Sequence, residues 1–301
     1  FRFSGESVRE WFESLATQAV SRIEAGCCAY THFLDQSGVI IDDMIFSVVD
    51  RDTILGVPNA SMVGTMRDWF DSHLPPNGSI TLEDISEVTS ILALQGPASP
   101  SVLAQVLGEG NVVRRFKGQA ISENPLGING WIQGTGYTGE RGFEIFVSND
   151  QVLTLWNSIL DDAGGHGVVP VGLGARDTLR MEKGYLLSGQ DFLWPGLADD
   201  GEHAVEPAFL ARDSWETNVP FGLDLEHHFI GKQRVLESQS ADGARWWGVK
   251  YLERGPFPRT GSKVLDMNGE DIGIITSGGP SPSLGKVGIG IGYIEGVEEG
   301  S

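Results

Sequence analysis

Cysteine is almost missing from this chain of 301 residues: there are two, Cys27 and Cys28, side by side. Adjacent thiols have the wrong spacing for a zinc knuckle or a C-x-x-C redox pair, and two of them exclude a disulfide framework. They read instead as residues on alternate faces of a strand, in a protein kept in a reducing compartment. Lysine is also scarce, at six of the 21 cations, against 41 acidic residues and a net charge of −20. A phosphate backbone repels such a surface, so no nucleic acid is expected as a partner. Dense carboxylate with little lysine fits salty surroundings and simple acidic drift equally well. No stretch reaches the ~20 unbroken apolar residues of a membrane span, and no charged start followed by an apolar run marks a signal peptide. The six histidines (32, 73, 166, 203, 227 and 228) form neither HxxxH nor HExxH, so no metal is expected.

Common nucleotide and hydrolase signatures are absent too. The glycines of Gly134-Thr-Gly136-Tyr-Thr-Gly139 approximate GxGxxG, but a strand follows them where a dinucleotide site needs a helix. The GKQR at 231–234 lacks the Walker spacing, and there is no GxSxG elbow.

What is present reads as an α+β protein. Apolar residues at helical spacing predict helices over 7–20, 61–73, 99–107, 150–162 and 172–184. Strand-like runs at 28–49 form a hairpin around Asp35-Gln36-Ser37-Gly38, and further strands are predicted at 90–95, 129–136 and 142–147. The stretch 192–221 is irregular and reads as a long loop or lid. Beyond about 244, short strands and glycine-rich turns suggest a small all-β module, with a boundary near 240.

Two segments look chemically arranged. In GYTGERGFE, a glycine turn leads into a strand on which Glu144 shares a face with Gly142 and Phe146. A carboxylate there needs a partner. A ligand with adjacent N–H donors, such as the pyrimidine edge of a pterin, would serve; so would a salt bridge to Arg141 or Arg176. In GLGARDTLRMEKG, Arg176 and Arg180 stand at i, i+4 and fit either a clamp for a carboxylate or an exposed ion-pair face with Asp177 and Glu182. Arg114, Arg115 and Lys117 form a short basic cluster.

GYTGERGFEI, GLGARDTLRMEKG, LALQGP, SGVIIDDMI, FIGK and TSGGPSPSLGK are together similar, in order and spacing, to the glycine-cleavage T-protein (aminomethyltransferase) family, over nearly the whole chain. The resemblance implies a three-lobed folate-binding aminomethyltransferase-type fold. Residues 1–240 would supply the folate-binding part in two lobes, and residues 241–301 an incomplete C-terminal β-barrel. Family members usually extend further at both ends, so the chain looks cut at each.

The implied reaction moves an aminomethyl carbon from the lipoyl arm of H-protein to tetrahydrofolate, with release of ammonia. A cytoplasmic location, or the mitochondrial matrix in a eukaryote, goes with it. Carried over by motif, Glu144 would bind the pterin edge and Arg176 would support folate. Tyr137 would line the pocket, and Arg259 in GPFPRTG would face the glutamate tail. Three positions depart from the family pattern. The usual helix Asp of an N-A-x-x-x-x-K-D motif falls on Met66, so no catalytic residue is assigned. The tyrosine before Gly-Asn-Asp is Ser188, and the acidic residue of T-P-x-E falls on Pro220. A folate-dependent demethylase and a non-catalytic folate-binding protein are the alternatives that would use the same pocket.

Overall fold

The computed structural model describes residues 1–162, 164–197, 201–241 and 243–300. They form two compact units, one of residues 1–11, 20–29 and 45–173, the other of residues 12–19, 30–44 and 174–301.

The chain begins with β1 (Arg2–Ser4), α1 (Val8–Leu15), β2 (Cys27–Leu34), β3 (Ile40–Val48), β4 (Thr53–Val57), α2 (Val63–His73) and β5 (Thr81–Glu83). Their strands make a sheet in the order β2-β3-β4-β1-β5. Helix α1 stops five residues short of the expected end. Ala16 pairs with Phe33 in a β-bridge and the Thr17 N–H donates to the His32 carbonyl, so the backbone leaves the helix for a strand. Along α2, Met66 and Phe70 are buried, continuing the line of buried Met62.

A second sheet follows from β6 (Thr89–Gln95), β7 (Gly118–Ala120), β8 (Gly130–Gln133) and β9 (Gly142–Ser148), with α3 (Ser99–Leu107) and α4 (Val152–Asp162) in the same part of the chain. Its order is β6-β9-β8-β7, all antiparallel. Alternation divides the faces of β9. Phe143, Ile145 and Val147 pack with Val102, Leu103 and Leu155 in one apolar core. Glu144 and Phe146 take the other face, opposite Gln133 and Trp131 of β8.

The second unit contains α5 (Leu173–Lys183), α6 (Pro207–Leu210), α7 (Lys232–Ser240) and the strands β10 (Arg245–Lys250), β11 (Lys263–Leu265), β12 (Asp271–Ser281) and β13 (Val287–Ile294). The four strands form an antiparallel sheet in the order β10-β13-β12-β11, bent by a register shift between Ile275 and Ser277. Among the described residues this sheet is not closed into a barrel. Leu34, Phe192, Phe229, Trp246, Ile291 and Tyr293 lie in the core of this unit.

Two motifs of the sequence meet here through their glycines. Gly38, in the hairpin turn, and Gly231, in FIGK, both have positive φ, and a Cβ on Gly231 would lie 2.6 Å from the Gly38 Cα. Only glycine permits both that conformation and that approach. Lys232 of FIGK donates to the carbonyls of Leu225 (2.7 Å) and His227 (2.8 Å), which makes it a structural clasp.

The irregular stretch 192–221 is not a free lid where it is described. Leu210, Arg212, Asp213, Ser214 and Thr217 are all buried; residues 198–200 of that stretch lie outside the described residues. No helix among the described residues is long and apolar enough to cross a membrane, and these residues hold no group of three or more His, Cys, Asp or Glu able to hold a metal ion.

Candidate functional site

The YTGERG turn between β8 and β9 is set by a residue from another motif. Gln95, of LALQGP, donates through Nε2 to the carbonyls of Thr135 and Phe143, each at 3.1 Å. A Cβ on either Gly136 or Gly142 would stand 2.1 Å from Gln95 Oε1, so both glycines leave room for the amide that pins the turn. The strand after the turn then starts in a fixed register, with Glu144 opposite Ala93 on one side and Gln133 on the other.

Glu144 is half-buried and forms no salt bridge among the described residues. Its Oε2 accepts from the Thr135 hydroxyl and from Gln133 Nε2 (3.2 Å). Gln133 is itself fixed, because its Oε1 accepts from the Ser47 hydroxyl at 2.6 Å, and Ser47 lies 3.1 Å from the Cys28 sulfur. The other carboxylate oxygen, Oε1, takes no hydrogen bond from the described residues. Two residues further along the same face, Phe146 and Trp131 border a cavity of about 740 Å³, lined largely by apolar side chains that include Phe1, Leu55, Val57 and Ile91. The cavity is lined by Phe146 and not by Glu144 itself; a carboxylate with one oxygen anchored and one open suits a ligand edge that carries N–H donors.

Arg141 is not the partner of Glu144. Its guanidinium donates to the carbonyls of Gly142 (3.1 Å) and Val113 and stacks on the Phe143 ring, 4.4 Å from its centroid. Tyr137 is half-buried within the turn.

In the second unit the arginines of GLGARDTLRMEKG do different work: of the two readings of their spacing, the two-arginine clamp is not formed, and of the ion-pair face the Arg180–Asp177 contact is. Arg180 is fully buried and saturated: it donates to Asp177 (2.7 Å), Asp191, Ser277 (2.8 Å) and the Tyr185 carbonyl (3.1 Å). Arg176 is exposed on the same helix. Glu182 belongs to neither arginine. It accepts from the hydroxyls of Ser281 (2.6 Å) and Ser283 (2.8 Å), which ties α5 to TSGGPSPSLGK. Burial raises the Glu182 carboxyl, but these hydrogen bonds outweigh it and hold the group below its ordinary value. Arg259 is exposed, and its backbone N–H donates to Ser262 Oγ at 3.0 Å.

A second polar chain lies in the strands around SGVIIDDMI. The Tyr30 hydroxyl donates to Asp43 Oδ2 at 2.8 Å and therefore accepts from His32 Nε2–H at 2.9 Å. His32 Nδ1 then accepts from the Ser214 hydroxyl, also at 2.9 Å. Burial drops the fully enclosed His32 to about 3, so its ring stays neutral and this tautomer is fixed by its neighbours. The two adjacent aspartates differ: Asp42 is fully buried and accepts from Ser188 (3.1 Å), while Asp43 is half-buried.

Residues 1–193 match the family model described as the GCVT N-terminal domain. The aminomethyltransferase of Chloroherpeton thalassium is 31% identical over 296 residues, covering 98% of this chain and 76% of the relative. That of Halothermothrix orenii is 34% identical over 291 residues, covering 96% and 76%. The crystal structure of glycine cleavage system aminomethyltransferase T from Bartonella henselae superposes with a TM-score of 0.80 at 26% identity, covering 98% of this chain and 75% of that one.

The chain belongs to the GCVT aminomethyltransferase family. It is an enzyme of that class with a mixed helix-and-sheet fold. Within that family frame, Met66 has no exposed surface, and the apolar line it forms with Met62 and Phe70 makes it core. Ser188 spends its hydroxyl on Asp42, and Pro220 opens a short helical turn, Pro220–Gly222. The aspartates of SGVIIDDMI carry no motif of their own in the sequence. The signal was there: two carboxylates in an otherwise apolar strand, which is costly unless they are held for a purpose.

Proposed function

We propose that this enzyme transfers the aminomethyl carbon held on the lipoyl arm of a glycine-cleavage H-protein to tetrahydrofolate, with release of ammonia. The observation that carries this reading is Glu144, a half-buried strand carboxylate with one oxygen anchored by Thr135 and Gln133 and the other open. Tetrahydrofolate, when bound, supplies the nitrogen that accepts the one-carbon unit. The chain supplies orientation and proton handling. Glu144 would accept two parallel N–H donors of the pterin, once Oε2 is shared with its present partners. Tyr137 would stand beside it in the turn. For Arg176 and Arg259, both exposed, the role that fits is a long-range contact with the carboxylates of folate. Residues 1–240 would form the folate-binding part and 241–301 the appended lobe. The Arg114 and Arg115 guanidiniums, exposed beside the turn that Arg115 joins through the Gly139 carbonyl (3.2 Å), would meet an acidic carrier protein.

Asp43 is the carboxylate we assign to proton transfer. Tyr30 holds one of its oxygens, and Tyr30 is held in turn by His32 and Ser214, so the carboxylate enters the reaction already oriented. Asp43→Asn is expected to lower kcat by roughly tenfold with little change in folate affinity; equal loss of both would make Asp43 a binding residue instead. Arg176→Ala is expected to weaken folate binding only several-fold, about 1 kcal/mol or less, because an exposed ion pair is screened by water. Isothermal titration with tetrahydrofolate measures it.

The decisive assay is formation of methylenetetrahydrofolate from tetrahydrofolate and aminomethyl-loaded H-protein, in low and high salt. Turnover supports the transferase. Binding of folate without turnover in either salt, with turnover restored by a small methylated amine, would assign a demethylase.

A further inference from the structure

The Cys27-Cys28 pair and Lys117, which the transfer chemistry leaves unused, come together in the first unit. Cys27 is the first residue of β2 and Lys117 immediately precedes β7, and the two face each other in an antiparallel β-bridge. Backbone hydrogen bonds flank it, from the Cys28 N–H to the Phe116 carbonyl and from the Gly118 N–H to the Gly26 carbonyl, both at 2.9 Å. Directly opposed residues project to the same side, and Lys117 Nζ lies 2.7 Å from Cys27 Sγ. That is the length of a strong N–H···O bond, although sulfur is larger than oxygen. Both side chains reach solvent: the Lys117 side chain is 47% exposed and Cys27 is partly exposed. The Glu24 carboxylate stands 3.8 Å from the ammonium.

Cys28 makes the contrast. It is buried against Ser47, and burial pushes its thiol up to about 12, so it keeps its proton and does not react. Of two adjacent thiols, one is hidden and protonated, and the other is accessible with an amine held against it.

We propose that Cys27 and Lys117 form an oxidative modification site, joined by peroxide into a covalent N–O–S bridge. The first peroxide oxidises the Cys27 sulfur to a sulfenic acid, forming S–O and releasing water. The second oxidises the amine against that sulfenic acid: N–O forms, one hydrogen leaves nitrogen and one leaves oxygen, and two waters are released. In sum, thiol, amine and two peroxides give the bridge and three waters, a loss of four electrons from the pair. Two equivalents of a dithiol return thiol, amine and one water. The bridge closes a long loop between β2 and the edge of the second sheet. It also lies one residue from the chain Cys28, Ser47, Gln133 and Glu144, so oxidation is coupled to the carboxylate that orients the pterin. That regulatory half rests on the folate reading; the modification does not.

The reduced protein is treated with hydrogen peroxide, quenched with catalase and examined by intact mass and peptide mapping. The expected result is a gain of about 14 Da, one oxygen added and two hydrogens lost, on a linked pair of peptides containing residues 27 and 117. Excess dithiothreitol should reverse it. Both Cys27→Ser and Lys117→Arg should lack it, and the arginine keeps the charge, so its failure isolates the need for a reactive amine. A gain of about 16 or 32 Da on Cys27 alone, an intermolecular disulfide, or no change at Cys27 would each overturn the bridge. Tetrahydrofolate affinity is then compared between bridged and reduced protein. A several-fold difference that vanishes in Lys117→Arg supports the coupling, and equal affinities remove it. If Glu144→Ala leaves folate affinity untouched while the mass gain persists, the folate reading fails and the modification site stands.

Discussion

Replacing Glu144 by alanine is expected to weaken tetrahydrofolate binding between tenfold and a hundredfold, about 1.4 to 2.7 kcal/mol. The estimate follows from what the carboxylate offers: charge-assisted hydrogen bonds to paired N–H donors, each stronger than a neutral one. The loss should fall on binding and not on folding. Gln133 still accepts from Ser47 and donates to the Thr135 oxygen, and only the Thr135 hydroxyl is left without its acceptor. Titration calorimetry with tetrahydrofolate measures the effect, and thermal denaturation serves as the control. Glu144→Gln should recover part of the affinity, because one carbonyl acceptor remains. Wild-type affinity in the alanine variant would remove the pocket assignment altogether.

The largest effect on stability is expected at Asp191. The side chain is fully buried and receives four donors: Arg180 and the Leu187 N–H on one oxygen, and the hydroxyls of Thr276 and Ser277 on the other. Burial pushes the Asp191 carboxyl above its ordinary value, while the Arg180 guanidinium and the hydroxyls pull it back. In Asp191→Asn one acceptor becomes an NH2 group facing donors, and a fully buried guanidinium loses its buried counter-charge and keeps only the part-exposed Asp177. Breaking one partner of a buried pair costs about 3–5 kcal/mol, and the remaining Asp177 contact places this loss at the lower end. Urea denaturation should show the midpoint falling at constant slope. The double variant Arg180→Met, Asp191→Leu should be milder than Asp191→Asn, since it removes the charge as well as the partner. A loss below 1 kcal/mol in Asp191→Asn would mean that water reaches the site.

The core elements were legible because periodicity reports burial directly. The strand pair around YTGERG and the helices over 61–73, 99–107 and 172–184 follow from spacing alone; along 61–73 spacing puts Met62, Met66 and Trp69 on one face, whereas Phe70 is buried and Trp69 half-buried. Helix 7–20 was overestimated because propensity carries no knowledge of the strand that recruits Ala16 and Thr17. For the same reason Arg176 and Arg180 looked like a matched pair. Their spacing is right for one helical face, but only tertiary contacts reveal that Arg180 faces Asp191 and Ser277 and has nothing left to give. Of the two readings of 192–221, a long loop or a lid, burial favours the packed loop: charged residues such as Arg212 and Asp213 are interior because each finds a partner there, Arg212 in Glu216 and Asp213 in Ser238.

By itself the sequence determined the class of fold, the family motifs and the face on which Glu144 lies, since these rest on local alternation and on the residue types that chemistry demands. The tertiary structure alone decided which charges are spent and which are open. It fixed Gln95 between Gly136 and Gly142, aligned Ser214, His32, Tyr30 and Asp43 in one chain of hydrogen bonds, and set Lys117 against Cys27 across 90 positions of sequence. Each of those arrangements joins residues far apart in the chain, and hydrogen bonds at 2.6–3.2 Å depend on positions in space that no local pattern encodes.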